Sequence, residues 1–285
     1  MDLKQDLEPP SYGETARFPA APIMPGPSRR DTMDSSSTSM SLGTASIVPL
    51  PPTTADSIRI CTVALTSTDK IRLIGTPPEL TAPLRSGILE SWGTIQRESC
   101  YAGSHEFKLK GKPWHVEGPD SVRARRLLAA VLLIMARNGW NLLQSTGMTR
   151  RDQDRDTLFF EHGVPDAQVE LFTVSFNRSD RIRVIGLAPL VSQMVTLLKQ
   201  AISSQWKYGI QREKDYCGAY ELKLEGRPFV AGGDQSIFTR MMLAQMLANF
   251  RAAGFKLYGS VNIGEGSDEN EVESWVFRRA TPCFP

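Results

Sequence analysis

Residues 95–114 read IQRESCYAGSHEFKLKGKPW, and residues 210–229 read IQREKDYCGAYELKLEGRPF. Aligned without a gap, 11 of these 20 positions are identical, against roughly one or two expected from average composition. The register extends both ways. Ile71-Arg72-Leu73-Ile74-Gly75 matches Ile182-Arg183-Val184-Ile185-Gly186, Trp92 matches Trp206, Arg125 matches Arg240, and Gly139-Trp140-Asn141-Leu142 matches Gly254-Phe255-Lys256-Leu257. The chain is therefore a tandem duplication. Its period, a little over a hundred residues by the numbering, is far too long for a solenoid repeat, so it describes a pair of similar domains and not an array. The expected organisation is a tail over 1–55, a first repeat over 56–161, a linker over 162–167, a second repeat over 168–279 and a C-terminal tail over 280–285.

Each repeat reads ββαββαββ. Residues 57–65 and 70–75 are β-branched around Thr66-Ser67-Thr68-Asp69, which predicts a hairpin. An amphipathic helix is expected over 78–92, and its counterpart over 188–205. Strands follow at 94–97 and 104–110. In the second of these His105, Phe107 and Leu109 face one way, and Glu106, Lys108 and Lys110 the other. The most apolar helix runs over 120–138 and again over 234–252, and two closing strands complete each copy. Strands arriving in hairpin pairs imply an α+β fold: an antiparallel sheet with two helices on one face. The two copies are expected to pack as a pseudo-symmetric pair with an interface like that of a homodimer.

Residues 1–56 hold 9 of the 19 prolines and carry a net charge of −3. A segment with so little apolar surface cannot offset its ordering entropy, so it is expected to be disordered. Pro9-Pro10-Ser11-Tyr12 within it matches the PPxY pattern of WW-domain ligands. Two prolines preset a polyproline II turn, and the tyrosine fills a second pocket. The partner implied is a WW-domain protein such as a ubiquitin ligase. Arg29-Arg30-Asp31-Thr32 fits a basophilic-kinase pattern and makes Thr32 a candidate phosphosite.

The repeats carry less chemistry. Net charge is +2 overall, far from a nucleic-acid footprint. The four cysteines form no CxxC pair, and they read as reduced thiols of a cytosolic or nuclear protein. No apolar run is long enough for a signal peptide or membrane span. The three histidines occupy no shared position in the two copies. Asp152, Asp154 and Asp156 alternate, but an EF-hand would need Gly at Thr157 and Glu at Gly163. No catalytic residue, metal site or cofactor is assigned. Polar residues kept in both copies, Glu106/Glu221, Arg97/Arg212, Lys108/Lys223 and Arg125/Arg240, have two readings. They are cross-strand ion pairs on an exposed sheet face, with Arg125 and Arg240 meeting carboxylates near a helix start, or they are a polar recognition face.

The strand-block signature, with the helix carrying Arg, the G-[WF]-x-L run and Asp156-Thr157-Leu158-Phe159-Phe160, resembles a fungal protein family. Its members carry one or more copies of this domain behind a Pro-rich, PPxY-bearing tail. The resemblance implies the fold and no activity. Taken together, the sequence points to a non-enzymatic adaptor with an unknown protein partner for the repeats. Two alternatives stay open: an enzyme with an unrecognised site, and a module for acidic ligands such as a lipid headgroup or nucleic acid.

Overall fold

The computed structural model describes residues 59–116, 118–148, 155–263 and 271–285, with side chains omitted at 271 and 272. In the first repeat β1 (Ile60–Thr66) and β2 (Lys70–Ile74) form a hairpin, followed by a short 3₁₀ turn and α1 (Thr81–Ser91). Then come β3 (Ile95–Tyr101), β4 (Ser104–Leu109), α2 (Pro119–Arg137), β5 (Trp140–Thr146) and β6 (Thr157–His162). The second repeat runs β7 (Leu171–Asn177), β8 (Arg181–Ile185), α3 (Ala188–Gln205), β9 (Ile210–Tyr216), β10 (Ala219–Leu224), α4 (Gly233–Ala252), β11 (Phe255–Val261) and β12 (Glu271–Arg279).

The duplication is exact at the level of topology. One six-stranded sheet has the order β3-β4-β2-β1-β6-β5, and the other has β9-β10-β8-β7-β12-β11. Every described pairing is antiparallel. The β3–β4 connection shows why the sequence repeats here. Tyr101 pairs with Ser104, and Ala102 and Gly103 between them both have positive φ (47° and 79°). Cys217 and Gly218 do the same in the second copy (55° and 75°). Two consecutive left-handed residues make the turn whose twist suits a two-residue hairpin. The strand β3 extends to Tyr101, beyond the expected end at Arg97. It is an edge strand whose charged residues obscure alternation and also discourage edge pairing.

One face of each sheet is apolar and carries the two helices of its own repeat. Val63, Leu65, Ile71, Leu73, Phe107, Leu109, Leu158 and Phe160 are fully buried with α2 residues Leu127, Leu128, Val131, Leu132 and Met135. Phe172, Val174, Phe176, Ile182, Val184, Leu222 and Phe277 are buried with Met194, Leu198, Met242, Met246 and Phe250. Trp92 and Trp206 occupy equivalent core positions and donate their indole N–H to the carbonyls of Lys110 (2.8 Å) and Glu225 (2.9 Å).

The expected pseudo-symmetric pairing does not occur. The repeats stack head to tail. The outer face of α2 covers the open face of the second sheet, so the layers run sheet, helices, sheet, helices. Val122 of α2 packs on Ile185 of β8 and Ala219 of β10. Ser121 Oγ accepts from Arg183 Nη1 (3.1 Å), and Arg125 Nε donates to Ser274 Oγ of β12 (2.9 Å). The open sheet face needs a cover because β7 is buried on both sides: Thr173, Ser175 and Asn177 are as inaccessible as Phe172 and Val174. A helix from the same repeat cannot supply that cover, since both already occupy the other face.

At one side of the stack β5 meets β11. The Leu142 N–H donates to Tyr258 Oη (2.7 Å). Gly259 lies close against Leu142 there: a Cβ would sit 2.6 Å from Leu142 Cδ2, so that side chain would have to move. The connection between the repeats is part of the same junction. Asp166 N–H donates to the Ala136 carbonyl (3.1 Å), and the Asp166 carboxylate holds Arg278 (2.8 Å) and the Thr281 hydroxyl (3.0 Å).

Candidate functional site

The kept glutamates lie on the outer face of each sheet, but they are not exposed. Glu106 is 2% accessible and Glu221 1%. Glu106 pairs across strands with Arg72 (2.6 Å) and Lys70 (3.1 Å). Glu221 pairs with Arg183 (2.8 Å), Lys214 (3.4 Å) and Arg181 (3.7 Å). Each arginine also stacks on a tyrosine: Arg72 over Tyr101 and Arg183 over Tyr216, 4.5 Å and 4.0 Å from the ring centres. Burial alone would raise both carboxyls. The arginine hydrogen bonds and neighbouring charges outweigh it and hold both below the usual carboxylate range. The cross-strand pairing expected from sequence is present, with both glutamates buried beneath their partners; α2 covers this face of the second sheet, and the same face of the first sheet is open.

The six candidate recognition residues do not form one surface. Arg97 sits opposite Lys108, and Arg212 opposite Lys223, giving one small basic cluster at each sheet's β3-type edge. Lys108 lies 3.8 Å from Asp69, and Lys223 lies 3.7 Å from Asp180. Arg125 is buried in the junction between the repeats, whereas Arg240 is exposed on α4. Locally the two arginines are alike: Arg125 Nη1 donates to the Ser121 carbonyl (2.9 Å) and Arg240 Nη1 to the Ser236 carbonyl (2.8 Å). Arg240 meets no carboxylate among the described residues, contrary to the expectation from its place in the helix. Pro9, Pro10, Tyr12 and Thr32 lie outside the described residues, as do Asp152 and Asp154. Asp156 accepts from Ser145 Oγ (2.7 Å) and the Asn262 N–H (2.9 Å), so it helps latch the two repeats.

Periodicity and motifs do not reveal the cleft beside α2. A cleft of about 530 Å³ opens at the junction, between α2 and the start of α3. Ala129, Ala130 and Leu133 form one wall; Leu171, Ile185 and Leu190 form the other. Leu187 stands exposed at its mouth. A second groove of about 520 Å³ lies on the other side of α2, against Pro83, Gly87 and Glu90 of α1. Both grooves share Arg126, Ala130, Leu133 and Arg137. At spacings of four, three and four residues, these make one stripe along α2. Arg126 is a strut: its Nη2 donates to the carbonyls of Cys217 (3.2 Å) and Gly218 (3.0 Å) in the β9–β10 turn. Arg137 is exposed at the far end of the stripe. Two small residues beside two arginines on α2 are the sequence signal that could have marked this place.

The described residues contain no cluster of three or more metal-ligating side chains, and no described helix is long and apolar enough to cross a membrane. One protein-family model matches the chain twice, over residues 59–161 and 170–278. The chain belongs to that domain family. The two matches coincide with the two copies of the six-stranded fold, so each family domain is one sheet with its own helix pair. The cleft lies where one family domain stacks on the next. No curated protein and no solved structure matches the chain.

Proposed function

We propose that this chain is a non-enzymatic adaptor of the cytosol or nucleus. It holds a WW-domain protein, such as a ubiquitin ligase, through Pro9, Pro10 and Tyr12, and a second protein on the tandem unit. The observation that carries the second half is the cleft beside α2. It is open, apolar along its walls and built from rigid elements of both repeats. Concave apolar sites with a few convergent polar groups are where proteins take ligands. The occupant that fits is an extended or helical segment with apolar anchors and an acidic flank. The anchors would sit against Leu133, Leu171 and Ile185, and the acidic flank against Arg137. A PPxY segment joined to a folded reader by a long spacer brings two partners together without new contacts between them.

Proximity labelling with the full chain tests both halves. Tyr12→Ala should remove WW-domain proteins from the labelled set and leave the others. Leu187→Asp with Arg137→Glu, both at exposed positions, should do the reverse. Identical labelling by the unmodified chain and both variants would refute the adaptor reading.

A further inference from the structure

The junction inside the chain is a heterologous contact, in which a helix face meets the open face of an unlike sheet. Such a contact leaves its two complementary surfaces unused at the ends of the stack. The helix half is Ser121, Val122 and Arg125. The same three positions in the second repeat are Ser236, Ile237 and Arg240. Their local geometry is the same. Ser121 Oγ donates to the Gly118 carbonyl (2.6 Å) and Ser236 Oγ to the Gly233 carbonyl (2.7 Å), and the arginine bonds to the serine carbonyl in both. Only burial differs: Val122 is 1% accessible and Ile237 56%.

The sheet half shows the same relation. Arg183, Ile185 and Ser274 receive α2, and their equivalents in the first repeat are Arg72, Ile74 and Thr157. The register supports the match, since Ser274 pairs with Ser175 and Thr157 with Ala64 at equivalent strand positions. Arg72 is held by Glu106 and Tyr101 as Arg183 is held by Glu221 and Tyr216. Ile185 is 2% accessible where α2 covers it; Ile74, uncovered, is 44% accessible.

We propose that the chain associates head to tail with copies of itself, α4 of one copy seating on the open face of the first sheet of the next. In that contact Ile237 packs on Ile74, Arg72 donates to Ser236 Oγ, and Arg240 donates to Thr157 Oγ1. These reproduce Val122 on Ile185, Arg183 to Ser121 and Arg125 to Ser274. Apolar side chains at both unused surfaces, and conserved donor–acceptor chemistry between them, fit a second copy rather than an unrelated partner. The contact does not close on itself, so short open stacks are expected, with weak affinity because nothing else anchors them.

Sedimentation velocity on the full chain, from about 1 to about 200 µM, reads the association directly. The unmodified chain should shift from monomer to dimer and higher stacks. Ile237→Asp and Ile74→Asp should each be monomeric, with melting temperatures unchanged. An equimolar mixture of the two should form a heterodimer that grows no further, because one variant keeps an intact α4 and the other an intact sheet face. Should either aspartate variant unfold, Arg240→Glu and Thr157→Arg replace them. A monomer at every concentration, a dimer that survives both substitutions, or a mixture that stays monomeric overturns the proposal.

Discussion

Asp166 and Arg278 form an ion pair of 2.8 Å in which both side chains are almost wholly inaccessible, at 4% and 0%. Asp166 belongs to the connection between the repeats and Arg278 to the last strand, so the pair ties the chain's middle to its end. Arg278 also donates to Asn141 Oδ1 of β5 (2.6 Å) and lies 4.7 Å over the Phe284 ring. The connection is therefore a structural part of the junction and not a spacer.

Removing Asp166 leaves the Arg278 charge buried with one neutral partner. Breaking a buried pair from one side costs about 3–5 kcal/mol. Asp166→Ala should lower the urea midpoint by that amount of stability. A loss under about 1 kcal/mol would show that water reaches Arg278.

Acid should weaken the fold through three carboxylates. Burial alone would raise Asp166, Glu106 and Glu221, but hydrogen bonds from Arg278, Arg72 and Arg183 outweigh it and lower all three. A carboxyl lowered in the folded state binds protons more weakly than in the unfolded chain. Its contribution is complete above the unfolded value, about 4, and is lost as the pH falls through the folded one. The melting temperature should be level from about pH 7 to 5 and fall below about pH 4. Glu221→Gln should lower it at pH 7 and make the acid slope shallower.

Two equivalent glycines should respond differently to alanine. Gly139 and Gly254 follow the core helices with φ of +82° and +86°, where a Cβ costs about 1–2 kcal/mol. At Gly254 the nearest atom to that Cβ is Arg279 Nη1 at 3.8 Å; at Gly139 it is the Gly163 carbonyl oxygen at 2.6 Å. Gly254→Ala should cost only the backbone term. Gly139→Ala should cost at least about 1 kcal/mol more, because backbone of the inter-repeat connection must move. Equal losses in chemical unfolding would contradict the packing at the junction.

Three of the four thiols should react in two classes. Cys100 and Cys217 are exposed. Cys61 is buried, and burial pushes its thiol up to about 11. A chromogenic disulfide reagent at pH 8 should modify Cys100 and Cys217 quickly and Cys61 only on unfolding. Rapid modification at Cys61 would mean that β1 opens readily.

How far the sequence reaches is clearest at paired positions. Alternation in β4 and β10 separates Phe107 and Leu222 from Glu106 and Glu221, and that alternation assigns a face. The repeated glycines and turn residues mark the hairpins, because positive φ is a local demand that composition reveals. These local rules act identically on both copies, so they determined the ββαββαββ unit and its duplication. They could not foresee the cleft, which needs Leu133 from α2 and Ile185 from β8, 52 residues apart by their numbers, to line one hollow.

Tertiary structure decided what covers each face. Arg125 and Arg240 make the same bond to the carbonyl four residues back, yet one is buried and the other exposed. Periodicity says which side chains share a surface; it is silent on the neighbour that surface meets. That neighbour is chosen by the complementarity of whole layers: an open sheet face with buried Glu221 and Arg183, and a helix presenting Ser121 and Val122 to it. The energy of that match belongs to no local segment, which is why the sequence suggested a symmetric pair and the fold is a directional stack.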